Sequence, residues 1–403
     1  MDDVVSLSTL TPEHSLDEIV PAGTVYAARP WSAQNPWWSS DPHAHDAPTG
    51  NMLPFAGSIS CLVHCAVVGP ESLALYDIAR IPDLAPTISY AGPDEPVDHV
   101  VRLAASGHPV LSDHTPPRAY WDSGRWLNPP SLIAHLNDKA NLADLAPHDA
   151  CPTRAFVPVG ELHRLSRLPR SLPVVFKAST EEGNGGGFDV RICRTTEEWD
   201  DAIAFFSRKA QFLRGVVVER FERFQSTWCA IVAIGETGSS YWGSAQQVCA
   251  ADGKYGGNWK GPGLDLPEPA AELVAHVAEQ GRQLGFRGVA GMDIGETETG
   301  RLLVFDLNFR LNGCTPQVLL HDAACARAGA AVSRIRRFRF RRPLADVIPD
   351  VRSLVERGTL VPISAFDSAI DPEQAGLSSI ATILVGATQD EVRHLEDDLE
   401  ALA

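Results

Sequence analysis

The chain has 403 residues, 44% hydrophobic and 21% charged, with 34 Lys and Arg against 51 Asp and Glu. That length accommodates two or three packed units, and the composition is that of a soluble globular protein. The net charge of −17 excludes a general nucleic-acid binder, whose phosphate contacts demand cationic surface.

Residues 1–50, with "RPWSAQNPWWSSDPHAHDAPTG", show no sustained period and read as an irregular leading segment draped over the body. The start, "MDDVVSLSTL", has no basic stretch followed by an apolar core, so no secretory signal is read there. His43 and His45 form an isolated His-x-His in a polar loop, too few ligands for zinc. From 51 to 130, apolar strands ("SISCLVHCAVV", "PTISYAG", "HPVLSD") alternate with helical stretches, the rhythm of a small α/β unit with a parallel sheet. Its longest apolar run, Ile59 to Val68, is far shorter than the roughly 20 residues of a membrane span. Cys61-x-x-x-Cys65 around His64 lies on a strand that would point alternate residues to opposite faces, which argues against metal. The eight cysteines lack a disulfide-like rhythm and are expected as thiols in a cytoplasm.

Pro129-Pro130-Ser131 opens a helix in which Leu132, Ile133, Leu136, Ala140 and Ala143 recur at helical spacing. Strand 174–179, a glycine knot at Gly183-Asn184-Gly185-Gly186-Gly187 and strand 188–193 follow. The helix after them starts with a capping box, Thr195-x-x-Glu198. "GVVVERF" and "TWCAIVAIGE" read as strands, "DGKYGGNWKGPG" as a glycine-rich loop, and 269–284 as a helix. Arg334 to Arg342 carries six arginines in nine residues. It reads as a solvated strand face or carboxylate-binding ridge, with binding of an anionic substrate or carrier as the alternative. The tail from about 345 is mixed α/β and ends in a helix capped by Thr388 and Glu391, with Val392, Leu395, Leu399 and Leu402 on one face.

"MDIGETETGRLLVFDLNFR" is the most informative stretch. With Thr299-Gly300 as a tight turn, Glu298 faces Arg301, Asp293 falls across from Asp306, and Asn308 shares the face of Asp306. Two carboxylates at roughly 5 Å repel by about 3 kcal/mol at an effective dielectric near 20. The pair needs a shared proton, a basic neighbour or a cation, and two aspartates with an amide oxygen are hard ligands suited to magnesium. The alternative is a one-residue slip that turns both acids to water. Lys177 enters the glycine knot on the face of Val175 and Ser179. The knot is either a slack hairpin tip or backbone left bare so that its N–H groups can approach phosphate.

Lys139, Lys177 with its glycine loop, and Asp293…Asp306-x-Asn308-x-Arg310 stand in the order and spacing of the ATP-grasp superfamily, which the chain resembles over about residues 130–330. "VVFKASTEEGNGGGFDVRI" resembles the strand–glycine-loop–strand of biotin carboxylase and D-alanine–D-alanine ligase, and "FDLNFR" their acidic-x-Asn-x-Arg signature. The resemblance implies two α+β lobes enclosing ATP, at 131–343 with the small lobe at about 150–215. An α/β pre-ATP-grasp domain at 51–130 would precede them, and an α/β extension at 344–403 would follow. It also implies that Lys139 and Lys177 contact ATP phosphates beneath a flap of Gly183, Gly185, Gly186 and Gly187. Glu219, Arg220 and Phe221 would read adenine and Glu222 ribose. Asp293, Asp306 and Asn308 would hold two magnesium ions, with manganese as a substitute, and Arg310 would steady the reacting carboxylate. Lys254 or Lys260 would lie near the transferred phosphate, while Trp259 is more simply a packing residue.

The flanking segments resemble stand-alone amino-acid and peptide ligases of natural-product pathways, of the pheganomycin type. The expected activity joins a small carboxylate to an amine through an acyl phosphate. Loading of a thiol on an acidic carrier protein, and an ATP-binding module without catalysis, are the rivals. A homodimer is compatible with this reading; no membrane or nucleic-acid partner is expected.

Overall fold

The computed structural model describes residues 8–403 apart from 30–34, 83, 93–94, 251–252, 372–373 and 375. Three sheets organise it. In the first, β1 (Val25–Ala27), β2 (Ser60–His64), β3 (Thr87–Tyr90) and β4 (Val110–Ser112) pair in parallel in the order β3-β2-β1-β4. The segment expected to be irregular therefore supplies an inner strand. Three buried residues, Val25, Tyr26 and Ala27, are too short a run for periodicity to reveal. That segment also forms helix α1 (His43–Asp46), so His43 and His45 are buried helical residues and not a polar loop. Helices α2 (Pro70–Ala79) and α3 (Glu95–Ala105) make the crossovers that parallel pairing requires.

The long helix expected after Pro129 is broken. Helix α4 (Pro130–Asn137) stops at Asp138, which is extended (φ −70°, ψ 121°) and accepts a hydrogen bond from the Ala140 N–H. The chain resumes in a short 3₁₀ turn at Lys139–Asn141 and in α5 (Leu142–Leu145). Aspartate favours this local capping over helix continuation, and the break aims Lys139 inward.

The second sheet is antiparallel: β5 (Arg154–Pro158), β6 (Val174–Ser179), β7 (Val190–Cys193) and β8 (Gly215–Arg220), in the order β5-β8-β6-β7. Strand β7 starts two residues later than expected, because Gly187 sits at φ +77° and prolongs the turn. Thr195 caps α6 (Thr196–Arg208), with Glu198 completing the capping box. Trp199, Ala202 and Phe206 of α6 bury against Phe176, forming the small lobe's core.

The third sheet has eight strands: β9 (Phe224–Ile234), β10 (Ser239–Cys249), β11 (Tyr255–Lys260), β12 (Gly288–Thr297), β13 (Leu302–Asn308), β14 (Val332–Phe340), β15 (Leu360–Phe366) and β16 (Ser378–Gly386). They are antiparallel in the order β13-β12-β9-β10-β11-β14-β16-β15. Two expectations change here. The glycine-rich "loop" contains β11, whose Gly257 (φ +101°) lies where a Cβ would be 2.3 Å from the Ile335 carbonyl, so glycine permits the strand rather than dissolving it. The tail from 344 is no separate extension, since β15 and β16 complete this sheet. Helix α7 (Ala270–Gln283), α4 and α5 cover one face through Ile133, Leu136, Val274, Val277, Met292 and Ile294. Helix α8 (Thr315–Ala328), α9 (Leu344–Glu356) and the parallel-sheet domain share a core that includes Ile231 and Ala245 of the other face. The last helix, α10 (Gln389–Leu402), lies along β14 and β16.

Candidate active site

The hairpin of β12 and β13 places Asp293 opposite Asp306, but by a route different from the one expected. The turn is longer than two residues: Thr297 N–H donates to the Arg301 carbonyl and Gly300 N–H to that of Thr297. Near the turn Ile294 therefore pairs with Val304, and the extra residue Phe305 forms a bulge that restores the pairing of Asp293 with Asp306. The expected Glu298–Arg301 pairing is accordingly absent from the register, and Arg301 donates to the Asp149 carbonyl instead. The bulge has a use: the Phe305 carbonyl accepts from Lys177 Nζ at 2.7 Å.

Cations from the Lys139 turn and the small lobe meet the hairpin here. Buried Lys139 forms an ion pair with Asp306. Asp138 anchors the same turn to the small lobe by accepting from Ser179 Oγ at 3.0 Å and Arg214 at 2.9 Å. Lys177 lies 2.7 Å from Glu219 Oε2. Arg154, on the neighbouring strand, is 2.9 Å from Glu219 Oε1 and also donates to the Lys139 carbonyl. Asp189, where the glycine loop re-enters the sheet, is 3% exposed and its Oδ2 has no hydrogen-bond partner. Burial raises its carboxyl, while Lys139 pulls the other way.

The two hairpin acids differ. Burial, reinforced by the charge of Asp306, pushes Asp293 up to about 7, although Gln247 Nε2 donates to its Oδ1 at 2.8 Å. Burial also opposes ionisation of Asp306, but Lys139 and Lys177 outweigh it and hold that carboxyl below its ordinary value. Asn308 Oδ1 accepts from Arg310 Nη2 at 2.9 Å, and Arg310 Nη1 donates to the Leu311 carbonyl at 3.2 Å. Beyond Arg310, the ends of β4 and the glycine loop border a narrow open cleft lined by Asp113, His114, Glu181, Glu182, Gly183 and Arg310. Asp113 accepts from Tyr26 Oη at 2.5 Å and from Leu311 N–H at 3.2 Å; burial raises its carboxyl to about 7 despite those bonds. A second narrow cleft adjoins Lys139, Arg154, Phe305 and Asp306.

The expected residues thus divide. Lys139, Lys177, Glu219, Asp293, Asp306, Asn308 and Arg310 converge. Gly183 borders the Arg310 cleft, and Gly187 lies against the Gly253 carbonyl, which puts the Lys254 turn beside the flap. Lys260 stands apart: three strands from Asp293, or about 14 Å by strand spacing, it donates to the Ser244 carbonyl at 3.2 Å and lies 3.6 Å from Asp265. The N–H groups of Arg220 and Phe221 bind the Thr153 and Pro173 carbonyls, while the Arg220 side chain lies 3.8 Å from Glu222. Trp259 packs between the guanidinium groups of Arg334 and Arg393. Sequence reasoning missed Arg154, Asp189, Gln247 and Asp113, all isolated polar residues whose role depends on what approaches them.

Four cations (Lys139, Lys177, Arg154, Arg310) face four carboxylates (Glu219, Asp189, Asp293, Asp306). A nucleoside triphosphate adds about four negative charges and binds only with added cations. Two opposed carboxylates with a neighbouring amide oxygen are hard donors that fit magnesium, and the raised Asp293 marks a pair short of positive charge. Among the described residues, no cluster of three His, Cys, Asp or Glu is arranged as a ready-made metal site.

Comparisons with known proteins agree with this fold. Residues 152–308 match the family model described as L-aspartate--L-methionine ligase, ATP grasp, and residues 15–134 match the N-terminal domain of the same ligase. Similar folds include N5-carboxyaminoimidazole ribonucleotide synthetase from Thermus thermophilus, at 15% identity and TM-score 0.57 over 94% of this chain and 98% of that one. The biotin carboxylase domain of 2-oxoglutarate carboxylase from Hydrogenobacter thermophilus, solved with MgADP, ADP and bicarbonate, aligns at 14% identity and TM-score 0.56 over 94% and 89%. N5-carboxyaminoimidazole synthetase from Staphylococcus aureus, complexed with ADP, aligns at 9% identity and TM-score 0.55 over 98% of each chain. The fold is ATP-grasp and the protein is an ATP-grasp ligase. The particular family it matches, in two domains and in chain order, is that of the L-aspartate--L-methionine ligases.

Proposed function

We propose that the protein joins two amino acids, an aspartate-type carboxylate and the amino group of a methionine-type partner, through an acyl phosphate formed from ATP. The observation that carries this reading is the meeting of Lys139 and Lys177 with the opposed pair Asp293 and Asp306. The family matched in both domains supplies the substrate class.

Lys139 and Lys177 exchange their contacts with Asp306 and Glu219 for phosphate oxygens. Arg154 Nη1, buried without a hydrogen-bond partner, suits a ring nitrogen of adenine, and Glu219, held between Arg154 and Lys177, suits the adenine amino group. Asp293, Asp306 and Asn308 hold magnesium, which when bound neutralises the charge of the transferring phosphate. Arg310, fixed by Asn308 and the Leu311 carbonyl, orients the carboxylate that attacks. Closure of the flap keeps water from the acyl phosphate until the amine displaces phosphate. Lys254, on the turn beside the flap, is placed better than Lys260 to reach the nucleotide.

Thioester formation on an acidic carrier loses its motive. Five arginines of the Arg334–Arg342 run bind groups of this chain: Arg334 and Arg336 pair with Glu396, Arg337 donates to Asn51, Arg339 pairs with Asp41 and Arg342 with Asp350. A role in natural-product biosynthesis rests on the resemblance to pheganomycin-type ligases alone. The test is ADP release with magnesium against a panel of amino acids, singly and in pairs, followed by product mass. An aspartyl dipeptide formed with one ADP per bond is expected; thioester formation, or ATP binding with no turnover for any pair, would reject the reading.

A further inference from the structure

The Trp-rich part of the leading segment has no place in this chemistry, yet it reaches the flap. Trp37 is fully buried in the small-lobe core beside Phe205 and Phe206. Lys209 closes over it, its Nζ 5.0 Å from the Trp37 ring and 2.8 Å from the Pro36 carbonyl. The segment is thereby pinned to the lobe that carries the glycine loop. Its neighbours then grip the loop itself. Asn35 Nδ2 at 2.7 Å and Trp38 Nε1 at 2.9 Å both donate to the Gly183 carbonyl. The Trp38 ring lies so close over Gly185 that a Cβ there would be 2.5 Å from Cη2, and it meets His114 edge-on at 4.7 Å. His114 in turn sits where a Gly183 Cβ would be only 3.0 Å away. Gly183 and Gly185 are thus bare because two side chains dock on them, whereas Gly186 and Gly187, at φ +64° and +77°, make the turn beyond the clamp.

We propose that Asn35 and Trp38 are positioning residues that clamp the flap at its Gly183 end, and that this clamp protects the acyl phosphate from water. The inference rests on the ligase reading. The cleft bordered by Gly183, His114 and Arg310 is where an acyl phosphate steadied by Arg310 would lie. The clamp closes its wall from the side of the leading segment. If the clamp is released, water attacks the acyl carbon and phosphate departs, regenerating the carboxylate. ATP is then consumed with no amide formed.

Two measurements on the full-length protein test this. Hydrogen exchange of residues 180–189 without nucleotide is compared among wild type, Asn35→Ala and Trp38→Ala. Loss of a hydrogen bond worth about 1.4 kcal/mol gives about tenfold faster exchange in each variant. The ratio of amide to ADP is expected to fall to about half or less in Trp38→Ala. Unchanged exchange overturns the clamp, and faster exchange with an unchanged amide-to-ADP ratio overturns its protective role. If wild type forms no amide at all, the ligase reading fails, and the exchange experiment alone decides whether the clamp exists.

Discussion

Two charged arrays lie on the same eight-stranded sheet and are handled in opposite ways. At the β13-β12 end, Asp293 and Asp306 face each other with Asp189 nearby, and the lysines that answer them are shared with Glu219. Asp293 is left strained toward protonation. On β14, the arginines find their partners within the chain: Arg334 and Arg336 share Glu396, and Arg336 also pairs with Glu400 at 2.7 Å. A charge array that folding has satisfied holds helix α10 to the sheet, whereas one left short of cations is prepared to receive them. Perturbed carboxylates gather where chemistry is done.

Breaking the first array should show in activity. Asp306→Asn removes the charge that Lys139 would share with the proposed magnesium while keeping the side chain's volume, and ADP formation should fall by about a thousandfold or more. Near-wild-type turnover in that variant would remove Asp306 from the metal site. Breaking the second array should show in stability alone. Glu396→Ala leaves Arg334, 4% exposed, with only the Gly256 carbonyl at 2.9 Å, which should cost about 3 kcal/mol in urea unfolding. The rate of ADP formation should stay within about twofold of wild type. Adding Arg334→Met should recover part of that loss, because removing both partners of a buried pair costs less than orphaning one. Lys177→Met lies between the two regimes. Glu219 keeps Arg154 beside it, so the fold should survive, while kcat/KM for ATP should drop about 100-fold, or roughly 2.7 kcal/mol, through the lost phosphate contact.

The same contrast explains what the sequence disclosed. The pairing of Asp293 with Asp306 was legible because alternation along two strands is a local rule. It held only because two departures cancelled: a longer turn and a bulge at Phe305. Lys177 and the glycine knot were legible as a strand and its loop. Arg154, Asp189 and Gln247 were not, since each acts across a boundary between elements far apart in sequence. The β11 strand was hidden because its glycines resemble a loop in composition, while their purpose is to let the backbones of β11 and β14 approach. Glu396 illustrates the limit from the other side. It lies on the amphipathic face expected for α10, but that it would answer a run of arginines on β14 depended on how the sheet closed.

The smallest effect belongs to a histidine that adjoins the second array. His43 is buried against Phe366, within reach of the charges of Arg337, Arg339, Asp41 and Asp46, and neither of its ring nitrogens has a hydrogen-bond partner. Burial first, then the two arginines, lowers its pKa to about 4. An unfolded chain protonates this histidine below about 6.5, so between about 6.5 and 4 the unfolded state binds more protons than the folded one. Stability should therefore be complete above about 6.5 and decline as the pH falls toward 4, with about 2 kcal/mol from this group lost by about pH 5. His321, which burial and Lys260 also lower to about 4, contributes to the same decline, so the informative quantity is the difference between proteins. His43→Phe keeps a ring against Phe366 and removes the titrating group. In urea unfolding at about pH 7 and about pH 5 it should lose less stability over that interval than wild type. An equal loss in both would show that the folded protein accommodates a charged His43, and that the β14 arginines are less fully committed than their ion pairs imply.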